Sequence, residues 1–484
     1  MIAELALGRA RSRPIRSRAS PWLLCPRAIL GSAVKILLLG TYELGRQPFG
    51  LASPAAWLRK RGHLVRAFDL SRQALDETAL RDANLIVFYL PMHTATRIAL
   101  EWLPAIRAQN PVAHLCACGL YAPLNESHLR AAGFSSVLGA EFESDLARLA
   151  AELGAVLTLS PDESLPAMLP RLQFELPDRS GLPALRNYAH VVLPGGTHRI
   201  AGYTEASRGC KHFCRHCPVV PVYAGQFRVV PHEIVLADIR QQVAAGAQHI
   251  TFGDPDFFNG PTHAARIVES LHAEFPALTY DVTVKIEHLL KHHAQLATLA
   301  RTGCLFITSA VESLDDRVLL KLEKGHTRAE FFRALDLCNE AGLMLQPTFI
   351  PFTPWTTRAG YFDLLDAIAG RNLISSVPPI QLAIRLLIPS RSRLLELSEI
   401  ASILGAFDAE KLVYPWRNSD PALDELAENI SAMVAAAEKS RESRAETFER
   451  IWGAAAKLQE TAPGPFRFAA PSRPAPYLSE PWYC

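Results

Sequence analysis

The sequence has no long apolar run, little net charge and no cysteine pairing pattern. No uninterrupted apolar stretch reaches the ~20 residues that a membrane-spanning helix needs, so no span is expected. Formal net charge is only +2, which removes any bulk case for nucleic-acid binding. The nine cysteines lack the regular spacing of a disulfide framework. A reducing, cytoplasmic compartment is their natural setting. No second C-x2-C follows Cys217, so the paired knuckle of many structural zinc sites is also missing. The chain is otherwise ordinary, with 49% hydrophobic and 20% charged residues, and its 484 residues predict two or three domains.

What is present is Cys210-Lys-His-Phe-Cys214-Arg-His-Cys217, a C-x3-C-x2-C loop. Three soft thiolates on one short loop can hold three irons of a cubane cluster and leave the fourth open to a small molecule. Zinc is the alternative, with His212 or His216 as fourth ligand, and would make the chain a zinc-stapled ligand-binding protein.

Upstream, Val34-Lys-Ile-Leu-Leu-Leu-Gly40, Leu64–Phe68, Asn84–Leu90, Ala113–Cys118 and Ser136–Gly139 read as strands separated by helical stretches. That alternation predicts a doubly wound α/β domain over 34–155, with ligands at the carboxyl ends of its strands. Residues 156–199, broken by prolines and Gly195-Gly196, read as a linker along the next domain. From 200 to 390, six further strands are expected, the sixth at Ile380–Ile388. They predict a partial (β/α)6, TIM-like barrel whose chemistry sits at the strand carboxyl ends. Those ends carry Gly253-Asp254-Pro-Asp256, Lys285 with Glu287, and Glu312-Ser313. Turn formation or helix capping is the plainer role for Asp254, Asp256, Glu312 and Ser313. A surface ion pair explains Lys285 and Glu287. Arg385 within an apolar strand needs an anionic partner, either a ligand carboxylate or an internal Asp or Glu. His93, in Pro91-Met-His93, reads as a solvated loop histidine.

From about 200 to 390 the chain resembles the radical SAM enzymes, through the cysteine loop, Gly253-Asp254-Pro-Asp256, Ala310-Val-Glu312-Ser313 and Lys324-Gly325-His326-Thr327. The resemblance implies a [4Fe–4S] cluster on Cys210, Cys214 and Cys217. S-adenosylmethionine (SAM) would chelate the open iron and be cleaved to a 5′-deoxyadenosyl radical. Gly253, Asp254, Asp256, Glu312 and Ser313 would contact SAM, Phe213 would shield the cluster and His216 would lie beside the adenine. It also implies an electron donor such as flavodoxin or ferredoxin, and a small-molecule or peptide substrate that no motif identifies. A radical SAM accessory protein without chemistry is a further alternative.

Residues 34–155 resemble, in layout and in Gly119-Leu-Tyr121-Ala and Gly139-Ala-Glu141-Phe-Glu143, the cobalamin-binding domain that often precedes such a barrel. The usual Asp-x-His-x-x-Gly is absent. Its place reads Thr41-Tyr-Glu-Leu-Gly45-Arg46, without the histidine that would reach cobalt. Cobalamin binding without that ligand, leading to carbon methylation, and a domain that only shapes the active site both stand.

Helices are expected at about 392–406, 423–437 and 441–458 within a carboxyl-terminal region, 391–484. The Glu480-Pro-Trp-Tyr-Cys484 end resembles a radical SAM group whose tail reads Cys-(Cys or selenocysteine)-Ala-Glu-Pro. One expectation is that Cys484 precedes a selenocysteine codon read as stop; a frayed tail is the other. Residues 1–33, with six arginines against Glu4, read as a disordered leader or an upstream start codon.

Overall fold

The computed structural model describes residues 33–139, 141–155, 173–458 and 474–480. The basic leader up to residue 32, the linker at 156–172 and Cys484 lie outside the described residues. The first sheet contains β1 (Lys35–Gly40), β2 (Leu64–Asp69), β3 (Leu85–Tyr89), β4 (His114–Cys118) and β5 (Ser136–Val137). All pairs are parallel, in the order β2-β1-β3-β4-β5. Helices cover both faces, so the strands are apolar on both. Leu37, Leu39, Ile86 and Phe88 enter one core. Ile36, Leu38, Leu85 and Val87 enter the other. The strand order reverses between β1 and β3, which opens a ligand crevice beyond their carboxyl ends.

The second sheet has seven strands: β6 (His190–Val192), β7 (His198–Thr204), β10 (His249–Phe252), β11 (Thr279–Thr283), β12 (Cys304–Glu312), β13 (Met344–Phe349) and β14 (Tyr477–Leu478). Between β7 and β10 lie β8 (Ser207–Gly209) and β9 (Phe227–Val229), which form a separate antiparallel ribbon. The sheet order is β13-β12-β11-β10-β7-β6-β14, parallel from β7 to β13 and antiparallel at the β6 and β14 edge. The result is a half-barrel, with helices 232–244, 261–274 and 328–340 packed behind it. Its core holds Ile239, Ile250, Ile267, Leu289, Ile307, Phe331 and Leu345, all at most 1% exposed. Each such side chain contributes about 1.5–3 kcal/mol by leaving water.

The expected sixth strand does not form. Residues 379–382 make a short 3-10 turn, and only one bridge, Phe352–Arg385, continues the sheet. Pro378, Pro379 and Pro389 lack the N–H groups a ladder needs. Helix Pro421–Ser440 closes this side, burying Leu423, Leu426, Ala427, Ile430, Val434 and Ala437 along one stripe. Asp420 caps it, and a Ser443–Glu446 capping box starts the next helix, Arg444–Ala456. The helix expected at 392–406 is reduced to turns at Arg393–Glu396 and Ser398–Ala401. Arg179 ties the linker down, bonded to buried Asp238, the Tyr203 carbonyl and Gln47. Among the described residues, no helix is long and apolar enough to cross a membrane.

Candidate functional site

The carboxyl ends of both sheets open on one cavity of about 1550 Å³. Tyr42, Glu43, Arg46, Tyr89 and His93 line it from the first sheet, and the three cysteines, Gly253, Asp254 and Glu312 from the barrel.

The ribbon β8–β9 pinches the cysteine loop at its base, where Cys210 N–H donates to the Gln226 carbonyl at 3.1 Å. Gly209 makes this approach possible. Its φ is +77°, and a Cβ there would lie 2.4 Å from the Tyr223 ring and 2.5 Å from the Gln226 oxygen. Arg393 donates to the Phe213 carbonyl and Arg215 to that of Lys321, which fixes the loop on its outer side. Phe213 lies on this outer side, 51% exposed and outside the cavity lining. Burial pushes the Cys210 thiol up to about 11 and the Cys217 thiol to about 12. Thiols this reluctant to ionise need a metal or nearby cations to become ligands. Lys285 supplies one cation. It is 7% exposed, with Nζ 3.7 Å from the Cys214 Sγ, and it also makes the expected ion pair with the partly exposed Glu287, at 3.9 Å.

Glu312 ends β12 in a left-handed conformation, φ +71°. Such a backbone in a non-glycine residue is held only where the surroundings over-determine it. Those surroundings are Lys324 Nζ at 3.2 Å and His216 Nε2 at 3.1 Å. Burial alone would raise the Glu312 carboxyl, but the Lys324 charge and the His216 contact bring it down to about 2. It is therefore a buried, ionised acceptor. Ser313 does not line the cavity; its hydroxyl accepts from Asp315 N–H, a capping role.

Asp254 accepts from the Ala206 N–H and the Ser207 hydroxyl, linking the end of β10 to the strand that feeds the cysteines. Burial raises its carboxyl to about 7 despite those two bonds. Gly253 precedes it because a Cβ would overlap the Tyr203 hydroxyl at 1.8 Å. Asp256 points elsewhere. It is absent from the cavity lining, caps Phe258 N–H, and turns its other oxygen to His212 and His288.

On the opposite wall, Arg208 meets Glu143 and Glu205, each at 2.7 Å. Glu141 accepts from the Tyr223 hydroxyl at 2.8 Å. Burial raises Glu43, Glu141 and Glu205, and Glu43, Glu141 and Glu143 each keep one buried oxygen without a hydrogen-bond partner. Tyr42 stands where Asp-x-His-x-x-Gly would put its histidine, counting back from Gly45, and burial pushes its phenol up to about 12. His93 is partly buried, begins helix 93–109 and contacts the Lys411 carbonyl through Nε2 at 2.5 Å. Arg385 finds the internal partner, Asp424 at 2.6 Å, and lies 3.6 Å over Trp416. Arg208, Lys324 and Tyr89 carried no site assignment from sequence. Lys324 stood within a matched motif, but Arg208 and Tyr89 had no motif of their own.

Comparison with known proteins adds to this geometry. The hopanoid C-3 methylase of Methylococcus capsulatus is 23% identical over 325 residues, which cover 64% of this chain. The chain spans less than two thirds of that methylase's own length, 62%. A tRNA-2-methylthio-N(6)-dimethylallyladenosine synthase of Fusobacterium nucleatum is 24% identical over 176 residues, 33% of this chain and 39% of that enzyme. Among solved structures, the cobalamin-dependent S-adenosylmethionine radical enzyme OxsB, with aqua-cobalamin and S-adenosylmethionine bound, superposes with a TM-score of 0.65. It has 14% identity over 84% of this chain and 67% of its own. The radical S-adenosylmethionine methyltransferase TsrM from Kitasatospora setae, with cobalamin and a [4Fe–4S] cluster bound, gives a TM-score of 0.53. It has 16% identity over 70% of each chain. At these identities the structures share the fold. Residues 204–355, which include the three cysteines, Asp254, Glu312 and Lys324, match the radical SAM superfamily. This chain therefore carries a radical SAM domain, which implies a [4Fe–4S] cluster and SAM, joined to a parallel sheet as in the cobalamin-dependent members of that fold.

Proposed function

We propose that this protein is a cobalamin-dependent radical SAM enzyme that methylates an unactivated carbon. The observation that carries the reading is the single cavity shared by the two sheets. Its volume of about 1550 Å³ exceeds the roughly 300–1,000 Å³ of a pocket for one small ligand. It leaves space for two cofactors and a substrate. The switch point of the first sheet faces the cysteine loop across it, and the solved relatives that share this two-part fold bind cobalamin.

The donor set fits the implied groups. Cys210, Cys214 and Cys217 would hold the cluster, their thiolates favoured by iron and by the Lys285 ammonium. Asp254 and Glu312 would receive SAM beside Gly253. The Glu312 carboxylate, fixed by Lys324 and His216, offers an acceptor that costs no rearrangement on binding. The motif place that holds a histidine in the best-known cobalamin domains holds Tyr42 here, which lines the cavity. Asp256 and Ser313 are left out of the SAM set. When bound, the cluster and SAM supply one-electron cleavage of the sulfonium to a 5′-deoxyadenosyl radical, and cobalamin supplies a methyl carrier. The protein walls exclude water and hold the substrate carbon within reach. A flavodoxin or ferredoxin in a reducing compartment would provide the electron. The substrate is a small molecule or peptide; helix 421–440 lines the same cavity with Asp424, Glu428 and Ser431.

The test is anaerobic. The wild type, reconstituted with iron and sulfide, is expected to hold about four irons and four sulfides. Reduced, with SAM, it is expected to release 5′-deoxyadenosine and to bind added hydroxocobalamin at about one per chain. Cys214→Ala loses the cluster and the product while keeping cobalamin. Zinc uptake in place of iron by the wild type would sink the reading.

A further inference from the structure

Behind the cysteine loop, away from the cavity, three polar side chains from three separate elements converge. His212 comes from the loop itself. Asp256 follows β10. His288 belongs to helix Ile286–Lys291. Asp256 Oδ2 lies 2.6 Å from His288 Nδ1 and 3.5 Å from His212 Nε2. Asp256 is fully buried, and the His288 and His212 side chains are only 6% and 14% exposed. Yet none of these three atoms meets a partner in hydrogen-bond direction. Buried polar atoms are almost always paired, so three orphans at one point need a cause. Asp256 stands at ion-pair distance from both histidines, but these contacts lack the alignment of hydrogen bonds.

Two imidazole nitrogens and a carboxylate oxygen form a set that binds divalent zinc or iron and leaves positions open. The surrounding shell suits that role. A metal-ligating histidine commonly gives its other ring nitrogen to a carboxylate. His212 Nδ1 faces Glu287 Oε2 at 3.5 Å. Asp256 Oδ1 is already occupied by Phe258 N–H, which leaves Oδ2 alone for the metal. The geometry points to a mononuclear site for a divalent borderline metal, zinc or ferrous iron, held by His212, Asp256 and His288. It is separate from the cluster. Cys210 Sγ, the His212 donor nitrogen and an Asp256 oxygen lie within 4.8 Å of one another, so the ion stands directly behind a cluster cysteine. It would clamp the cysteine loop to the end of β10 and to helix 286–291, and add positive charge beside the Cys210 thiolate.

The experiment uses the full chain carrying its reconstituted cluster. The protein is equilibrated anaerobically with zinc, freed of excess metal, and analysed for iron, sulfide and zinc. The wild type is expected to keep about one zinc beyond its cluster iron. Asp256→Asn, which preserves volume and a capping oxygen, and His288→Gln are expected to weaken zinc binding at least about tenfold, with iron, sulfide and circular dichroism unchanged. Zinc X-ray absorption should show nitrogen and oxygen neighbours and no sulfur. Equal zinc content in wild type and both variants overturns the site. So does a sulfur neighbour with falling iron, which would put zinc on Cys210 in place of the cluster. A protein that builds its cluster but takes no zinc defeats this inference and leaves the proposed function standing. One that builds no cluster defeats the function instead.

Discussion

The two walls of the cavity are built on opposite plans. On the barrel side three ionisable groups have near side-chain partners: Asp254 has Ser207, Glu312 has Lys324 and His216, and Lys285 has Cys214 and Glu287. On the first-sheet side Glu143 and Glu205, with Glu141 behind the lining, lie in the field of Arg208, and Glu43 is held by burial in a raised, protonation-prone state. The barrel wall is preorganised for a small, charged ligand. The other wall carries an excess of carboxylates whose spare oxygens can accept from a ligand rich in N–H donors. The acidic wall is also the one that couples the two domains, because Glu205 and Arg208 come from the segment that leads into the cysteine loop while Glu141 and Glu143 come from the first domain.

Breaking the paired wall should have the largest effect. Glu312→Ala leaves Lys324 as a buried, unpartnered charge, a loss of about 3–5 kcal/mol. SAM affinity should fall at least tenfold, as read by SAM titration beside denaturant unfolding. Glu312→Gln keeps the shape and an acceptor for His216, and should lose less stability. If both variants unfold at the wild-type midpoint, the pairing is not what holds this wall.

Breaking the shared wall should give a smaller and pH-dependent effect. Burial raises Glu141 and Glu205, and Arg208 opposes that rise. A carboxyl raised in the folded state stabilises below its unfolded pKa and loses that contribution as pH climbs through the folded one. Arg208→Met removes the opposing charge, so the rise is greater. The variant should be less stable by about 3 kcal/mol at high pH, and the deficit should shrink as the pH is lowered toward about 5. Unfolding curves across that range decide it. A deficit that is flat with pH, or grows on acidification, would mean that the carboxylates are not coupled to Arg208.

The smallest effect belongs to the tail. Glu480 pairs with Arg72, and β14 adds a short strand to the barrel edge. The pair is 19% and 30% exposed. Glu480→Ala should therefore cost about 0–1 kcal/mol, measured by the same unfolding experiment. A larger loss would show that the tail joins the two domains as firmly as Arg208 does.

Much of this was legible because it is local. C-x3-C-x2-C within eight residues can only put its thiols on one loop. Apolar runs ending in glycine or a turn announced the strands of the first sheet, and the Leu423-to-Ala437 stripe announced the long closing helix. The sixth barrel strand misled because Ile380–Ile388 has the apolar character of a strand, while the prolines that bound it deny it a ladder.

Sequence by itself determined the soft-metal loop, the two-part α/β architecture and the set of carboxylates from which a SAM site could be drawn. Tertiary structure decided which of them face the cavity. Asp254 and Asp256 differ by two positions, yet one borders the cavity and the other is turned behind the loop by its cap on Phe258. Lys285 reaches Cys214 across 71 positions, Arg385 finds Asp424 across 39, and Tyr223 finds Glu141 across 82. Such pairings arise from buried charges seeking partners at whatever distance along the chain the packed core brings them near, and no local pattern records that distance.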